Sequence, residues 1–174
     1  AELRAAQSEL RVFAHTDGLT GVSNARQFLV TAERVMRQSL ANRTPMALVI
    51  LDVDYFKEIN DNYGHYTGDA VLKRIVTACE AVLRKSDLIA RMGGDEFAVL
   101  LPNTGTEQAA LVIKRLTAAV AQLSLVEFGV SGHLSISAGS AILADDDTDI
   151  NALMRRADRA MYRVKVLTHR SRAA

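Results

Sequence analysis

The feature that most constrains the fold is an unbroken apolar run, MALVILDVDYF, at residues 46–56. A continuous hydrophobic run of this kind is typical of a central strand that is buried on both faces. Asp52 and Asp54 end the run, so the C-terminal end of the strand is predicted to lie at a polar site. Residues two apart on a strand point to the same face, which would place both carboxylates together. Acids that end a buried strand are also common turn residues, so this pair alone leaves a structural and a functional interpretation open.

A second feature, RMGGDEF at residues 91–97, predicts the tip of a β-hairpin. Two short apolar stretches, LIARM and FAVLLP, flank the glycines and acids, as in a hairpin. If this hairpin pairs with residues 46–52, its tip brings Asp95 and Glu96 to the polar end of that strand. Several unpaired carboxylates would repel one another, and a divalent cation removes the conflict. Hard oxygen ligands suit Mg²⁺, which prefers a few carboxylates plus substrate phosphates.

The residues around these acids favour a nucleotide ligand. Gly93 and Gly94 allow a left-handed backbone and the close approach of a bulky molecule. Lys57 could meet a phosphate as a point charge. A carboxylate such as Asp69 suits the N1–H and N2–H₂ edge of guanine, and Asn60 offers an amide beside it. For any one of these pieces, a glycine turn with solvated polar residues is the alternative.

Predicted helices and strands alternate along the rest of the chain. Amphipathic periodicity predicts the helices, and alternation of apolar and polar residues predicts a further strand. The helices are predicted at residues 25–43, 69–84, 104–123 and 145–166, the strand at 133–143, a loop at 57–69 and a polar turn at 17–24. Residues 1–16 are interpreted as the end of an N-terminal connecting helix, and 17–174 as one domain. Strands interleaved with helices indicate an α/β or α+β fold with a mostly antiparallel sheet.

Composition sets the broad class of the protein. A chain of 174 residues, 49% hydrophobic and 24% charged, fits one globular domain with a sizeable core. The net charge of +1 offers no polyanion-binding surface, so nucleic acid is not an expected partner. The single cysteine, Cys79, allows no internal disulfide and indicates a reducing, cytoplasmic setting. No apolar run reaches membrane-spanning length, so no membrane contact is expected. Because the chain begins at Ala1, we interpret it as a piece of a longer protein whose missing part could carry a membrane anchor.

Four separate motifs, in the right order and spacing, resemble those of the GGDEF family. DGLTGVSNARQF is similar to the family's D-x-L-T-G-L-x-N-R, with Ala25 in place of the arginine. DVDYFKEINDNYGHYTGDAVL is similar to D-x-D-x-F-K-x-x-N-D-x-x-G-H-x-x-G-D. RKSDLIARMGGDEF matches R-x-x-D, five residues and GGDEF, and RRADRAMYRVK resembles the closing A-D-x-A-(L/M)-Y-x-A-K helix. The resemblance covers nearly the whole chain.

The resemblance implies an activity and a fold. Members of this family are diguanylate cyclases of bacterial signalling, which condense two GTP molecules into cyclic di-GMP and two pyrophosphates. They work as homodimers, because each domain binds one GTP. The implied fold is an α+β sandwich with a five-stranded, mostly antiparallel sheet surrounded by helices. It is similar to the adenylyl cyclase and polymerase palm, with an added β-hairpin that carries GGDEF.

The resemblance also implies roles for residues at matching positions. The metal would be Mg²⁺, with Mn²⁺ as an alternative and two ions for each GTP. Its ligands would be Asp52, the carbonyl of Val53, Asp95 and Glu96. The catalytic residues would be Asp95, which accepts the 3′-hydroxyl proton, together with Glu96 and Lys57. The GTP-binding residues would be Phe56, Lys57, Asn60, His65, Asp69, Gly93, Gly94 and Lys165.

The stretch RKSD at residues 84–87 has two interpretations. It could form an ion pair between residues three apart at a helix end, worth a few tenths of a kcal/mol. Its spacing from GGDEF also matches the product-inhibition site of many diguanylate cyclases. There, Arg84 and Asp87 would clamp cyclic di-GMP, since arginine suits forked contacts with phosphate and guanine. Arg115 falls where such enzymes often have a second arginine, although a solvated helix face is an alternative.

Two further departures from the family pattern, and three rival functions, accompany this interpretation. Thr168 and His169 stand where the family has a glycine and a basic residue. One rival is a catalytically silent GGDEF domain that acts as a cyclic di-GMP receptor. Another is a GTP-binding regulatory module that activates a partner domain, and the third is a nucleotidyl cyclase that uses another base. The acids Asp52, Asp95 and Glu96 favour catalysis over the silent forms, and Asn60 and Asp69 favour guanine.

Overall fold

The apolar run forms an interior strand of a five-stranded sheet, which helices cover on both faces. It is buried as predicted, but it is the fourth strand in order rather than the central one. The computed structural model describes residues 15–130 and 132–173. The predicted connecting helix of residues 1–16 therefore lies almost wholly outside the described residues. The elements, in chain order, are β1 (Ser23–Asn24), α1 (Ala25–Asn42), β2 (Met46–Val53), α2 (Phe56–Tyr63), α3 (His65–Val82), β3 (Leu88–Gly93), β4 (Glu96–Pro102), α4 (Thr106–Ala121), a 3₁₀ turn (Val126–Phe128), β5 (Ile136–Ile142) and α5 (Ile150–Ala173).

The strands lie in the order β1-β3-β4-β2-β5. Neighbouring strands are antiparallel except for β1 and β3, which pair in parallel over two residues. The predicted fold class is confirmed, with the one difference that this short parallel pair makes the sheet mixed rather than mostly antiparallel. The predicted hairpin is also confirmed. Its strands β3 and β4 are part of the sheet itself, because their apolar residues are buried with the rest of the core.

Every residue of β2 is buried, as the apolar run predicts. Its alternate side chains enter two separate cores because successive side chains on a strand point to opposite faces. Ala47, Val49 and Leu51 belong to the core beneath α3 and α4. Leu48 and Ile50 belong to the core beneath α1 and α5. The chain is thus an α/β sandwich in which β2 contributes side chains to the cores on both faces of the sheet. Among the described helices, none is both long and apolar enough to cross a membrane.

The segment at residues 57–69 corrects one prediction, since it is helical rather than a loop. Its asparagines, aspartates and glycines have low helix propensity, which favoured the loop interpretation. Tertiary packing overrides that propensity, because Ile59 is buried in the core and Phe56 packs against it. The segment is two helices, α2 and α3, which meet at Gly64 with φ = 86°.

Helix α5 passes directly over strand β5 at Gly139. A Cβ atom at this position would lie 2.0 Å from the backbone nitrogen of Met161 and 2.4 Å from the carbonyl carbon of Ala160. Only glycine permits this approach of the two backbones. The crossing sets the position of the rest of α5, which carries Lys165 toward the end of β2. The sequence showed Gly139 but gave it no role.

Candidate active site

The end of β2 and the tip of the β3–β4 hairpin lie side by side. Asp52 is directly opposite Glu96 in the antiparallel pairing of β2 with β4. One residue further, the backbone N–H of Val53 donates a hydrogen bond of 3.2 Å to the carbonyl oxygen of Asp95. This confirms the predicted approach of the hairpin tip to the polar end of β2. Asp52 near the end of β2 therefore lies beside Asp95 of the hairpin turn and Glu96 at the start of β4.

The carbonyl of Val53 is directed toward the hairpin tip. The N–H of the same peptide, on Asp54, donates to the carbonyl oxygen of Ser135 over 3.0 Å, on the β5 side of the strand. The peptide is trans and planar, so its C=O points the opposite way from its N–H. Since β5 and β4 flank β2 on opposite sides, that direction is the side of Asp95. A backbone oxygen therefore accompanies the carboxylates.

Lys165 of α5 makes the closest contact with the strand-end acids. Its Nζ donates a hydrogen bond of 2.7 Å to Oδ1 of Asp52, whose residue is 7% exposed. Burial raises the pKa of Asp52, and the nearby charge of Asp95 adds to the rise, although the ammonium of Lys165 opposes both. Burial would lower the pKa of Lys165, but the hydrogen bond and charge of Asp52, followed by the charges of Asp95 and Asp54, raise it overall. The end of β2 is thus a strongly negative site that already holds one cationic group.

Glu96 lies in the same field of negative charge. Burial raises its pKa, and the charges of Asp158, Asp52 and Asp95 raise it further. Asp158 on α5 is the strongest of these charged neighbours, and no role at the site was predicted for it from the sequence. The available signal was its position in the A-D-x-A motif of the closing helix. Glu96 is therefore costly to ionise unless a cation is nearby.

The donor set at the strand end fits a divalent cation. Two carboxylates, Asp52 and Asp95, and the carbonyl of Val53 are hard oxygen donors, which Mg²⁺ prefers. The ammonium of Lys165 on Asp52 is a stand-in for such a cation. Across the described ranges, however, no three His, Cys, Asp or Glu side chains converge closely enough to hold a metal by themselves. That agrees with Mg²⁺ chemistry, in which substrate phosphates and waters complete the coordination.

Helices α2 and α3 bring the predicted nucleoside-binding residues together. Asn60 on α2 faces Gly68 on α3, where a Cβ atom would lie 1.9 Å from Oδ1 of Asn60. That oxygen is buried and, within the described part of the chain, has no hydrogen-bond partner. Asp69 follows Gly68 and is exposed, and His65 is exposed one helical turn earlier. Sequence reasoning gave Gly68 no role, although it is the residue that allows this contact between the helices.

Lys57 and Phe56 open α2, just after β2 ends. Lys57 is exposed, and Phe56 is partly buried against the core. Tyr55, which precedes them, has φ = 58°, a left-handed conformation that turns the chain from the strand into the helix. The ring of Tyr55 stacks on His169 of α5, with ring centroids 4.4 Å apart and planes 15° apart. His169, at the family's basic position, therefore lies against the start of α2.

The glycines of the hairpin tip adopt the conformations that were expected. Gly93 and Gly94 have φ values of 155° and 50°, and a Cβ atom at either position would meet open space. Arg91 donates from Nε and Nη2 to the carbonyl oxygen of Gly94 at 2.9 and 2.8 Å. Its Nη1 also contacts the carboxylate of Asp17. Burial would raise the pKa of Asp17, but hydrogen bonds from Thr20 and the charge of Arg91 lower it. Arg91 thus links the hairpin tip at Gly94 to the turn that contains Asp17.

The RKSD stretch forms a turn after α3. The Arg84 N–H donates to Oδ2 of Asp87 over 2.8 Å, and the Asp87 N–H donates to the carbonyl oxygen of Arg84 over 3.0 Å. Among the described residues, no ion pair joins these two side chains, so the ion-pair alternative is wrong. Arg84 and Asp87 line a cavity of about 410 Å³ together with residues 21–23. Arg115 is exposed on α4 and does not line that cavity.

The family model described as "Diguanylate cyclase, GGDEF domain" matches residues 14–171. A curated relative, the probable diguanylate cyclase DgcT of Escherichia coli, is 36% identical over 163 residues, which is 91% of this chain and 36% of that protein. Diguanylate cyclase DgcP of Pseudomonas aeruginosa is 40% identical over 154 residues, which is 87% of this chain and 22% of that protein. The chain spans 36%, 43% and 39% of the first three curated relatives, so it matches less than half of each.

Solved structures of GGDEF domains are similar to this chain in fold as well as in sequence. The GGDEF domain of TpbB from Pseudomonas aeruginosa is 37% identical, with a TM-score of 0.79, over 88% of this chain and 90% of that one. The coiled coil and GGDEF domain of DgcB from Caulobacter crescentus, solved in complex with c-di-GMP, is 28% identical, with a TM-score of 0.84. That match covers 92% of this chain and 85% of the DgcB chain. The sequence match to the family model and the structural match to solved GGDEF domains therefore both cover nearly the whole chain.

Proposed function

The chain belongs to the GGDEF domain family, and from that premise we propose that it is a diguanylate cyclase. It condenses two GTP molecules into cyclic di-GMP and releases two pyrophosphates. The observation that carries the proposal is the hydrogen bond between the Val53 N–H and the Asp95 carbonyl oxygen. That contact joins the hairpin tip to the end of β2, so Asp52 of β2 and the acids of the hairpin lie at one site.

The divalent metal is Mg²⁺, with Mn²⁺ as an alternative and two ions for each GTP. Asp52, Asp95 and the carbonyl of Val53 would hold it, with Glu96 beside them. When bound, the metal lowers the pKa of the attacking hydroxyl and neutralises charge on the attacking and leaving oxygens. The raised pKa values of Asp52 and Glu96 support this arrangement, because a cation would relieve the repulsion that contributes to them.

The nucleotide would lie between α2, α3 and the hairpin tip. Asn60 would contribute its side-chain amide to the recognition of guanine, which offers N–H donors along its Watson–Crick edge; among the described residues its Oδ1 has no hydrogen-bond partner. The carboxylate of Asp69 would accept from the same edge, and His65 would contact the nucleoside. Lys57 at the start of α2 and Lys165 on α5 would bind phosphates, while Phe56, Gly93 and Gly94 would border the ligand.

The chemistry requires two copies of the domain, because each copy holds one GTP. Asp95 accepts the proton from the 3′-hydroxyl of its own GTP. The 3′-oxygen then forms a bond to the α-phosphorus of the other GTP, and the bond from that phosphorus to the pyrophosphate oxygen breaks. A second, equivalent step closes the ring. Dimerisation therefore contributes the positioning on which a reaction between two bound substrates depends.

Arg84 and Asp87 are proposed to bind the product and inhibit the enzyme. They line a cavity at the end of α3, and the related DgcB domain was solved in complex with c-di-GMP. The expected affinity is micromolar, or about −8 kcal/mol. Arg115, which is exposed on α4, would contribute a second arginine from outside the cavity.

A second candidate function is a catalytically silent receptor for cyclic di-GMP. The cavity beside Arg84 and Asp87 favours it, since that cavity does not depend on the strand-end acids. A GTP-binding regulatory module is the remaining form of this alternative. Each candidate predicts a different response to nucleotides.

The test is to incubate the chain with Mg²⁺ and GTP, ATP, CTP or UTP in parallel, and to identify products by chromatography and mass spectrometry. A dimeric coiled coil fused before residue 15 provides the control for weak self-association. Cyclic di-GMP formed from GTP alone supports the cyclase. A dimeric form that binds cyclic di-GMP or GTP without turnover supports the silent receptor or the regulatory module. Turnover of another nucleotide contradicts the proposed guanine specificity.

A further inference from the structure

Asp54 is a buried carboxylate to which neither the motif nor the proposed chemistry gives a role. It follows the last residue of β2 and is 4% exposed. A buried carboxylate is costly unless hydrogen bonds satisfy it. Here both oxygens are satisfied, because Ser135 Oγ donates to Oδ2 and Ser137 Oγ donates to Oδ1, each over 2.6 Å. The carboxylate of Asp54 is therefore directed at the start of β5.

The same residue also extends the pairing of β2 with β5. The regular ladder ends where Val53 lies opposite Ile136. Beyond it, the Asp54 N–H donates to the carbonyl oxygen of Ser135 over 3.0 Å. Asp54 thus forms three hydrogen bonds with Ser135 and Ser137, one from its backbone and two to its side chain.

These three bonds fix the direction of the neighbouring carbonyl. The Asp54 N–H and the Val53 C=O belong to one planar trans peptide. Holding that N–H on Ser135 therefore holds the Val53 oxygen toward Asp95. The next residue, Tyr55, takes the left-handed conformation at φ = 58° from which α2 begins. Asp54 lies between the carbonyl that the metal would use and the helix that carries Lys57.

We propose that Asp54 is a positioning residue, which acts through the hydroxyls of Ser135 and Ser137 to hold the Val53 carbonyl in place for a divalent cation. The inference rests on the proposed metal site. It adds two residues to that site, Ser135 just before β5 and Ser137 within it. Partners that orient the first ligands of a metal commonly change its affinity by about 10- to 100-fold when they are removed. A residue that only stabilised the fold would change the thermal midpoint and leave that affinity unchanged.

The test uses Ser135→Ala, which removes a single hydroxyl, and Ser135→Thr, which retains it. Binding of Mn²⁺ is measured from the electron paramagnetic resonance signal of the free ion, with and without a non-hydrolysable GTP analogue. Thermal midpoints are measured on the same samples. Ser135→Ala is expected to bind Mn²⁺ about tenfold more weakly than the unaltered chain. Ser135→Thr is expected to restore the affinity, and Asp54→Asn to show a smaller loss than Ser135→Ala, because a serine hydroxyl can rotate to accept from the amide.

Asp147→Asn is the matched control. Asp147 is also a buried carboxylate, 7% exposed, and it accepts two hydrogen bonds of 2.6 Å from Arg156 at the start of α5. The control should lower the thermal midpoint without changing Mn²⁺ affinity. Unchanged affinity in folded Ser135→Ala, or an equal loss in Asp147→Asn, overturns the inference.

The outcome is separable from that of the proposed reaction. A chain that binds Mn²⁺ with the expected dependence on Ser135, but forms no cyclic di-GMP as a dimer, contradicts the cyclase and retains the positioning role. An unaltered chain that binds no Mn²⁺ in the presence of the GTP analogue contradicts the metal site, and the inference with it.

Discussion

The ammonium of Lys165 donates a hydrogen bond to the carboxylate of Asp52 over 2.7 Å, across 113 residues of sequence. Both residues are proposed to meet the substrate complex, Asp52 through the metal and Lys165 through the terminal phosphates. Without a ligand they satisfy each other. Binding of the metal and nucleotide would therefore exchange this ion pair for two new ones, metal to carboxylate and ammonium to phosphate.

Replacing Lys165 with methionine should change two affinities in opposite directions. The KM for GTP should rise by about 10- to 100-fold, because a hydrogen bond to a charged phosphate is lost. Binding of Mn²⁺ without nucleotide should become tighter, because the ammonium no longer competes for Asp52. Steady-state kinetics and Mn²⁺ titration measure the two effects. Lys165→Arg is the control that retains the charge, and a parallel weakening of both affinities in the methionine variant would contradict the exchange.

Replacing Glu96 with glutamine should stabilise the fold while lowering activity. Burial first, and then the charges of Asp158, Asp52 and Asp95, raise the pKa of Glu96 in the folded protein. The Glu96 carboxyl therefore destabilises the folded state increasingly as pH rises above the ordinary value of its pKa. Removing the charge should raise Tm by about 2–4 °C at neutral pH. As pH falls through the raised pKa toward the ordinary value of about 4.3, the gain should disappear, because the carboxyl is then protonated in both states.

Thermal unfolding of Glu96→Gln between pH 4 and pH 8, without added metal, measures this effect. Glu33→Gln on α1 is the matched control, since Glu33 is an exposed carboxylate outside the site. A Tm difference that is independent of pH, or one that is equal in the two variants, would show that the charge of Glu96 is not the cause.

Replacing Arg84 with alanine should weaken cyclic di-GMP binding by about 10- to 100-fold, since charged hydrogen bonds are worth about 1.5–3 kcal/mol. Turnover of GTP at low product concentration should not change, because Arg84 belongs to the turn after α3 and not to the strand-end site. Isothermal titration calorimetry with cyclic di-GMP measures the affinity. Arg37→Ala, which removes an exposed arginine of α1, is the control. Equal affinities for Arg84→Ala and the unaltered chain would remove the assigned inhibition site.

The strands whose residues carry a clear local signal, namely hydrophobic runs and glycine turns, were predicted from the sequence. The apolar run predicted β2, and the two short apolar stretches that flank GGDE predicted the β3–β4 hairpin, because burial on both faces and a glycine turn leave clear signals. The same local reasoning assigned residues 57–69 to a loop, since it could not detect the packing of Phe56 and Ile59 that makes the segment helical.

In the candidate site, too, some contacts could be predicted from the sequence and others could not. Acids at a strand end and a hairpin tip were predicted to meet, and Asp52 does lie opposite Glu96. The partners supplied by distant segments were not predictable from spacing. Lys165 on Asp52 and the serines on Asp54 depend on how α5 and β5 pack against β2. The helical periodicity and strand alternation of those segments carry no information about that packing.

The most direct measurement is the rate at which a dimerised form of the chain converts GTP and Mg²⁺ into cyclic di-GMP, compared between the unaltered sequence and Asp95→Asn. The unaltered chain is expected to release two pyrophosphates for each cyclic di-GMP. The rate is expected to fall by at least about 100-fold in Asp95→Asn, because the substitution removes a metal ligand and the proton acceptor together. An Asp95→Asn protein that forms cyclic di-GMP at the unaltered rate would contradict the account.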